Sequence, residues 1–209
     1  MSTALTPKRD MLDTFEQRGG RIVTTHTPPG APRRREAEAF IRNKFAERYD
    51  ARVSAFAPNL VLFEEGQRIV AATGWRAAGH ESLFLERYLD QPIEQIISSL
   101  SPPAAQRGNR ERSVEVGNLA ADKAGGSLFV ILNLARHFDR LGFEWVVFTA
   151  TRELIGIFTR LGLPLLAIAP ADPARLGDDA ADWGSYYDSA PIVVAGRIRL
   201  GIDRKRKGA

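Results

Sequence analysis

The segment from Ser113 to Leu166 restricts what this chain can fold into more than any other. An apolar strand carrying Val114-Glu115-Val116-Gly117-Asn118-Leu119 breaks at Asp122-Lys123-Ala124-Gly125-Gly126-Ser127 and restarts as a helix. In that order, strand, glycine-rich turn and helix aim unpaired backbone N–H groups at one point, and that point attracts anions. Ser127 is a good N-cap, and Leu128, Ile131, Leu132, Ala135, Phe138 and Leu141 recur at helical spacing, which lays one helix face against a sheet. Gly142 closes this helix. Glu144 to Thr149 reads as a buried strand, Arg152 to Leu161 as a second amphipathic helix ended by Gly162, and Leu165 to Ala169 as a third strand. The unit reads as a phosphate-cradling βαβαβ arrangement. An ordinary tight turn without a ligand accounts for the glycine pair equally well.

The flanks supply further elements. Met1 to Arg18 is polar, with a short helix expected over Met11 to Gln17, and Arg21 to His26 reads as the first strand. Arg33 to Arg48 is a helix with Ala37, Phe40, Ile41 and Phe45 on one stripe. Asn59 to Glu64 and Arg68 to Trp75 form a hairpin about Gly66. Leu83 to Leu85 reads as a short strand, and Pro92 opens a helix carrying Ile93, Ile96, Ile97 and Leu100. Ser101 to Gly108 and Ala169 to Asp182 read as loops, and Ile192 to Ile198 as the last strand. The expected organisation is a flexible segment over 1–20, one domain over 21–198 and a basic tail over 199–209.

Composition removes several function classes. The 209 residues include no cysteine, so disulfides, thiolate metal sites and cysteine nucleophiles are excluded. His26, His80 and His137 lack metal-ligand spacing, so no metal is expected. Neither a signal peptide nor an apolar run of membrane-spanning length is seen, which fits a cytoplasmic protein. The net charge of +4 is concentrated at the two ends. Those ends suit an acidic partner such as an acyl carrier protein, or an anionic membrane surface that the tail would reach; a solvated tail without a partner is equally open. Nucleic acid is not expected, because aromatic residues are not interleaved with the basic cluster. The oligomeric state is not legible.

Three constellations could carry chemistry. Glu115 stands in an otherwise apolar strand, sharing a face with Gly117 while Val114, Val116 and Asn118 point the other way. Burying a carboxylate there makes it a candidate general base with a raised pKa, or an ion-pair partner for Arg112 or Arg76. Trp183, Tyr186 and Tyr187 with Asp178, Asp179, Asp182 and Asp188 form a binding loop or a capped, packed turn. Arg48, Tyr49, Asp50, Arg76, Glu86, Arg87 and Tyr88 suit a polar acceptor site or surface ion pairs. No nucleophile elbow, Walker loop or dinucleotide fingerprint is present.

The runs Ser82 to Glu94, Val114 to Ala120, and Ala169 to Pro173 leading to Asp182-Trp183-Gly184-Ser185-Tyr186-Tyr187 resemble the bacterial thermostable hemolysin family over about residues 33–198. That family is similar in pattern to the GNAT N-acyltransferases and the acyl-homoserine-lactone synthases. The resemblance implies an α/β, three-layer fold: a GNAT-like mixed, centrally splayed sheet flanked by helices. It implies a donor thioester on coenzyme A or on the phosphopantetheine of an acyl carrier protein, and a small-molecule acceptor. Asp122 departs from the first position of the acetyltransferase loop, and Asn118 replaces the arginine of the lactone synthases, whereas Glu115 matches.

On this reading Glu115 deprotonates an acceptor amine, with Asn118 and Tyr186 beside it as catalytic groups. Leu119, Ala120, Lys123, Gly125, Gly126 and Ser127 hold the donor, and Tyr49, Arg76, Glu86, Trp183 and Tyr187 orient the acceptor. Helices around Leu128 and Ile93 would line an acyl channel. The alternatives are a membrane-active protein, as the family name implies, and a GNAT-like binding module without catalysis.

Overall fold

The computed structural model describes residues 13–17, 20–100, 107–122 and 126–200, with the side chains of 13–17, 20–21 and 126–129 left aside. Its frame is an eight-stranded sheet: β1 (Asp13–Gln17), β2 (Gly20–Thr27), β3 (Asn59–Glu65), β4 (Arg68–Ala77), β5 (Ser113–Ala121), β6 (Trp145–Ala150), β7 (Leu166–Pro170) and β8 (Ile192–Arg197). The spatial order is β1-β2-β3-β4-β5-β6-β8-β7. The pairs are antiparallel except β5 with β6, the pair joined by the helical crossover α3 (Gly126–Arg140). Further helices are α1 (Arg34–Tyr49), α2 (Ile93–Leu100) and α4 (Arg152–Arg160).

Strand alternation sorts the core into two faces. On the first face Leu60, Leu62, Ala72 and Ala120 pack under Ala37, Ile41 and Phe45 of α1. Trp145, Val147, Val193 and Ala195 continue that face beneath Ile93 and Ile97 of α2. On the second face Val61, Phe63, Trp75 and Val114 pack against Val130, Leu134 and Phe138 of α3, and Phe148 and Val194 against Phe158 of α4. Helices on both faces of a mixed sheet make the three-layer, GNAT-like α/β arrangement.

Two irregularities in the sheet shape the interior. Between Ala72↔Ala120 and Gly74↔Gly117 the β4–β5 register shifts, so β5 carries one extra residue, a bulge. Asn118 lies there with φ 51°. β5 and β6 pair only from Ser113↔Trp145 to Val116↔Phe148, although both strands run further. Beyond Val116 the sheet is splayed.

Five local expectations are corrected. Asp13–Gln17 is a strand, not a helix, because its backbone pairs with β2, a tertiary gain invisible in local pattern; the first strand therefore precedes Arg21. Leu83 to Leu85 is not a strand: Phe84–Tyr88 forms a 3-10 turn, with Glu86 accepting the Leu83 N–H at 3.0 Å. α3 already includes Gly126, so Ser127 lies inside its first turn rather than at the cap. Ala169 to Asp182 is not a plain loop: Pro173–Ser189 is a run of 3-10 turns, begun by the Asp172 side chain accepting from the Ala174 N–H at 2.9 Å and broken at Gly177 and Gly184. Finally, Asn118 does not follow Val114 and Val116 to the second face, because the bulge and its positive φ turn it to the first. Among the described residues, no helix is long and apolar enough to cross a membrane.

Candidate active-site cleft

The splay opens a cleft of about 800 Å³ between the C-terminal half of α1, the far part of β5, the start of α4 and the Pro173–Ser189 turns. Glu115 lines its inner wall and is only 6% exposed. One carboxylate oxygen accepts the Phe84 N–H at 2.8 Å and the other the Leu85 N–H at 2.9 Å, while Arg76 Nε lies 3.3 Å away. Burial pushes its carboxyl up to about 7; the Arg76 charge and the two backbone donors oppose that rise without cancelling it. Of the two roles open to Glu115, the ion pair with Arg76 is therefore present, and the cleft-facing position with a raised pKa is present as well. Arg112 pairs with Glu144 instead.

Gly117, Asn118, Leu119 and Ala120 also line the cleft. Asn118 accepts the Ala57 N–H at 3.1 Å through Oδ1, so its side chain fixes the 55–57 segment as one wall. Gly74 lies opposite: a Cβ there would come within 2.8 Å of the Ala57 Cβ and 3.1 Å of Asn118 Oδ1. Lys123 and Gly125 fall outside the described residues, and for Gly126 and Ser127 only the helical backbone is described.

A cluster of aromatic side chains also lines the cleft. Tyr49 and Tyr186 meet edge to face at 5.2 Å, Trp183 lies 5.4 Å from Tyr186, and Phe84 lies 5.6 Å from Trp183. Gly184 makes this possible: at φ +49° it passes so close to the end of α1 that a Cβ would meet the Tyr49 carbonyl oxygen at 2.0 Å. The Ser185 hydroxyl donates to that same carbonyl at 3.2 Å, and the Arg52 N–H donates to the Asp182 carbonyl at 2.7 Å. Burial holds the Tyr186 hydroxyl well above the ordinary tyrosine range and raises Tyr49 in the same direction. Both hydroxyls therefore stay protonated at neutral pH and can donate a hydrogen bond.

Two expected acceptor contacts are not brought to the cleft. Glu86 accepts from the N–H groups of Leu83 and Ile93 and pairs with Arg110 at 2.6 Å. Burial pushes its carboxyl up, but the Arg110 guanidinium and these donors outweigh burial and hold it below its usual value. It staples α2 to the 3-10 turn. Tyr187 stands behind Tyr88, its hydroxyl 2.6 Å from the Tyr88 hydroxyl, and burial raises it to about 12. Tyr49, Arg76, Trp183 and Tyr186 do line the cleft.

The mouth of the cleft is charged, and of its residues Arg48 alone was among those expected from the sequence. Arg48 of α1 is paired with Glu153 of α4, and Lys44 reaches Asp122 at 3.0 Å. These pairs join residues far apart in sequence, which no spacing rule reveals. An apolar pocket of about 70 Å³ lies between β5, β6, α3 and α4 and shares Val116, Leu119, Phe148 and Leu154 with the cleft. The pocket is lined by Ile131, Leu132, Leu134, Ala135 and Phe138 of α3, the helix expected to border an acyl channel. Ile93 lies in the core of the first face instead. Among the described residues, no three His, Asp or Glu side chains converge as a metal site.

Comparison with known proteins places this geometry. No curated protein matches the sequence. The solved structure of LasI, described as an AHL synthase, matches with 10% identity and a TM-score of 0.57, covering 86% of this chain and 91% of that one. TofI in an apo form matches with 13% identity and a TM-score of 0.55, covering 86% and 95%. FeeM, described as an N-acyl amino acid synthase from uncultured soil microbes, matches with 12% identity and a TM-score of 0.52, covering 87% and 93%. At these identities the likeness is one of fold. A family model described as thermostable hemolysin matches residues 27–202, nearly the whole folded part, and the chain belongs to the thermostable hemolysin family.

Proposed function

We propose that the protein is an acyltransferase that moves an acyl group from a phosphopantetheine thioester, on coenzyme A or an acyl carrier protein, to an amine. The observation that carries this reading is Glu115: a buried carboxyl raised to about 7, on the wall of a cleft that enters the sheet where β5 and β6 part. A carboxylate tuned near neutrality is matched to accepting a proton at physiological pH. The resemblance of fold to AHL synthases and an N-acyl amino acid synthase points the same way.

The residues divide the work. Beyond Val116, the edge of β5 that β6 no longer covers offers main-chain groups to an extended pantetheine arm, as an added strand would be held. The apolar pocket under α3 and α4 takes the acyl chain out of water. The amine nitrogen attacks the thioester carbonyl carbon, the C–N bond forms, the C–S bond breaks, and Glu115 takes the proton released from nitrogen. The leaving thiolate accepts a hydrogen bond from the Tyr186 hydroxyl, and the proton that Glu115 took from nitrogen passes to the sulfur, so that the thiol is released and Glu115 returns to its carboxylate. Arg76, with Tyr49 and Trp183, orients the acceptor.

Thiol release from acyl-coenzyme A, measured over pH 5–9 with a panel of amines, tests this. The reading predicts amine-dependent release that rises with pH through about 7 and that Glu115→Gln abolishes. Amine-dependent release unchanged in Glu115→Gln removes Glu115 as base and leaves it an anchor for the 84–85 backbone, whereas no amine-dependent release with any amine leaves a binding module.

A further inference from the structure

The donor site has a chemical feature that the acyltransferase reading does not itself require. Asp122 directly follows β5, and its backbone is pinned to β4 by an N–H···O bond to Val70 at 3.0 Å. Its carboxylate receives two cations from separate elements: Lys44 Nζ of α1 at 3.0 Å and an Arg68 nitrogen of β4 at 3.7 Å. Lys44 and Asp122 line the cleft, each about a quarter exposed, and Lys44 is shared with Glu47 at 2.8 Å.

The strand supplies a ruler. From Trp75, opposite Val116, to Val70, opposite Asp122, β4 runs five residues, so at about 3.3 Å per residue the distance is about 17 Å, the bulge at Asn118 absorbing the extra residue of β5. An extended phosphopantetheine arm, with a dozen or so bonds between sulfur and phosphorus, covers a similar length. A thioester placed at Glu115 therefore puts its phosphate at Asp122, where an anion already sits between two cations.

Resting on the acyltransferase reading, we infer that Lys44 and Arg68 are the contacts for the phosphate ester at the end of the donor's pantetheine arm, and that Asp122 holds them until the donor arrives. Binding exchanges one anion for another: the phosphate takes over the lysine and arginine, and the Asp122 side chain swings to solvent. With Asp122 turned away, Lys44, Arg68 and Glu47 together carry one net positive charge, which matches a singly charged phosphodiester. Lys44 and Arg68 are thus specificity contacts for phosphate-bearing donors rather than parts of the catalytic step.

Titration calorimetry of the full chain with coenzyme A, 4′-phosphopantetheine and pantetheine, at low and high salt, tests this. Lys44→Met and Arg68→Met are expected to weaken both phosphate-bearing ligands by about tenfold at low salt, less at high salt, and to leave pantetheine unchanged. Asp122→Asn is expected to tighten both by several-fold. Coenzyme A affinity unchanged in Lys44→Met and Arg68→Met, beside intact acyl transfer, overturns the inference and leaves the acyltransferase reading standing. Equal losses for pantetheine also overturn it, since they report a loosened fold. A wild-type chain that binds none of the three ligands overturns both.

Discussion

At the scale of single residues, Glu115 ties three parts of the chain together. Its two oxygens hold the 84–85 backbone, its charge meets Arg76, and its side chain faces the cleft. A carboxylate oxygen has two lone pairs, so accepting one backbone N–H leaves capacity for a substrate proton. Because its folded pKa is raised, the folded state favours the protonated form. Its contribution to stability is then full below the ordinary carboxylate pKa near 4.5 and is lost as pH rises through about 7. Wild type should lose about 3 kcal/mol relative to Glu115→Gln across that window. Chemical denaturation of both proteins at pH 4.5 and pH 8 checks this, and parallel stability curves would contradict it. The same variant should lose at least about 100-fold in turnover. The sequence made part of this legible: a carboxylate in the apolar run Val114 to Val116 and an arginine at position 76 announced a buried pair. The backbone donors at Phe84 and Leu85 were not legible, because a 3-10 turn whose N–H groups point at a side chain 30 residues away leaves no local pattern. Glu86 misled for the same reason, its acidity being spent on α2 and Arg110.

At the scale of elements, the Pro173–Ser189 turns form a wall of the cleft only because Gly184 lets them reach the end of α1. Gly184→Ala combines a left-handed backbone with a collision against main chain, and neither can be relieved by a rotamer. It should destabilise the protein by about 2 kcal/mol or more and move Trp183 toward water. Trp75 and Trp145 are buried, so a red shift of tryptophan emission in the folded variant reports Trp183. An unshifted spectrum with an unchanged melting temperature would show that the wall does not depend on this approach. The apolar pocket makes a second prediction. Ala135→Leu adds bulk inside it and should cut transfer of long acyl chains by about tenfold while sparing acetyl, read from kcat/KM across chain lengths. Helical spacing over 33–48 and the hairpin about Gly66 were plain in the sequence because each is closed by local contacts. The bulge at Asn118 and the strand Asp13–Gln17 were not, since both exist through pairing with a neighbouring strand.

At the scale of the whole molecule, the one parallel pair among the described strands gives the fold its chemical opportunity. The α3 crossover makes β5 and β6 parallel neighbours, and their pairing ends at Val116↔Phe148, so a cleft opens in the middle of the sheet. Glu115, the proposed base, lines that opening together with Tyr49, Trp183 and Tyr186 and the charged residues Lys44, Arg48 and Glu153, and the apolar pocket under α3 shares Val116 and Leu119 with it. The strand, glycine-rich turn and helix read from Ser113 onward pointed to this region, whereas the opening is a property of where two strands stop pairing. The most direct test is the transfer reaction itself, with acyl-coenzyme A and acyl carrier protein offered as donors and an amine panel as acceptors, products identified by mass. An N-acyl product is expected from at least one donor, formed at a rate that rises through pH of about 7 and that Glu115→Gln removes. Donor that binds in the cleft but yields no N-acyl product with any amine would contradict it.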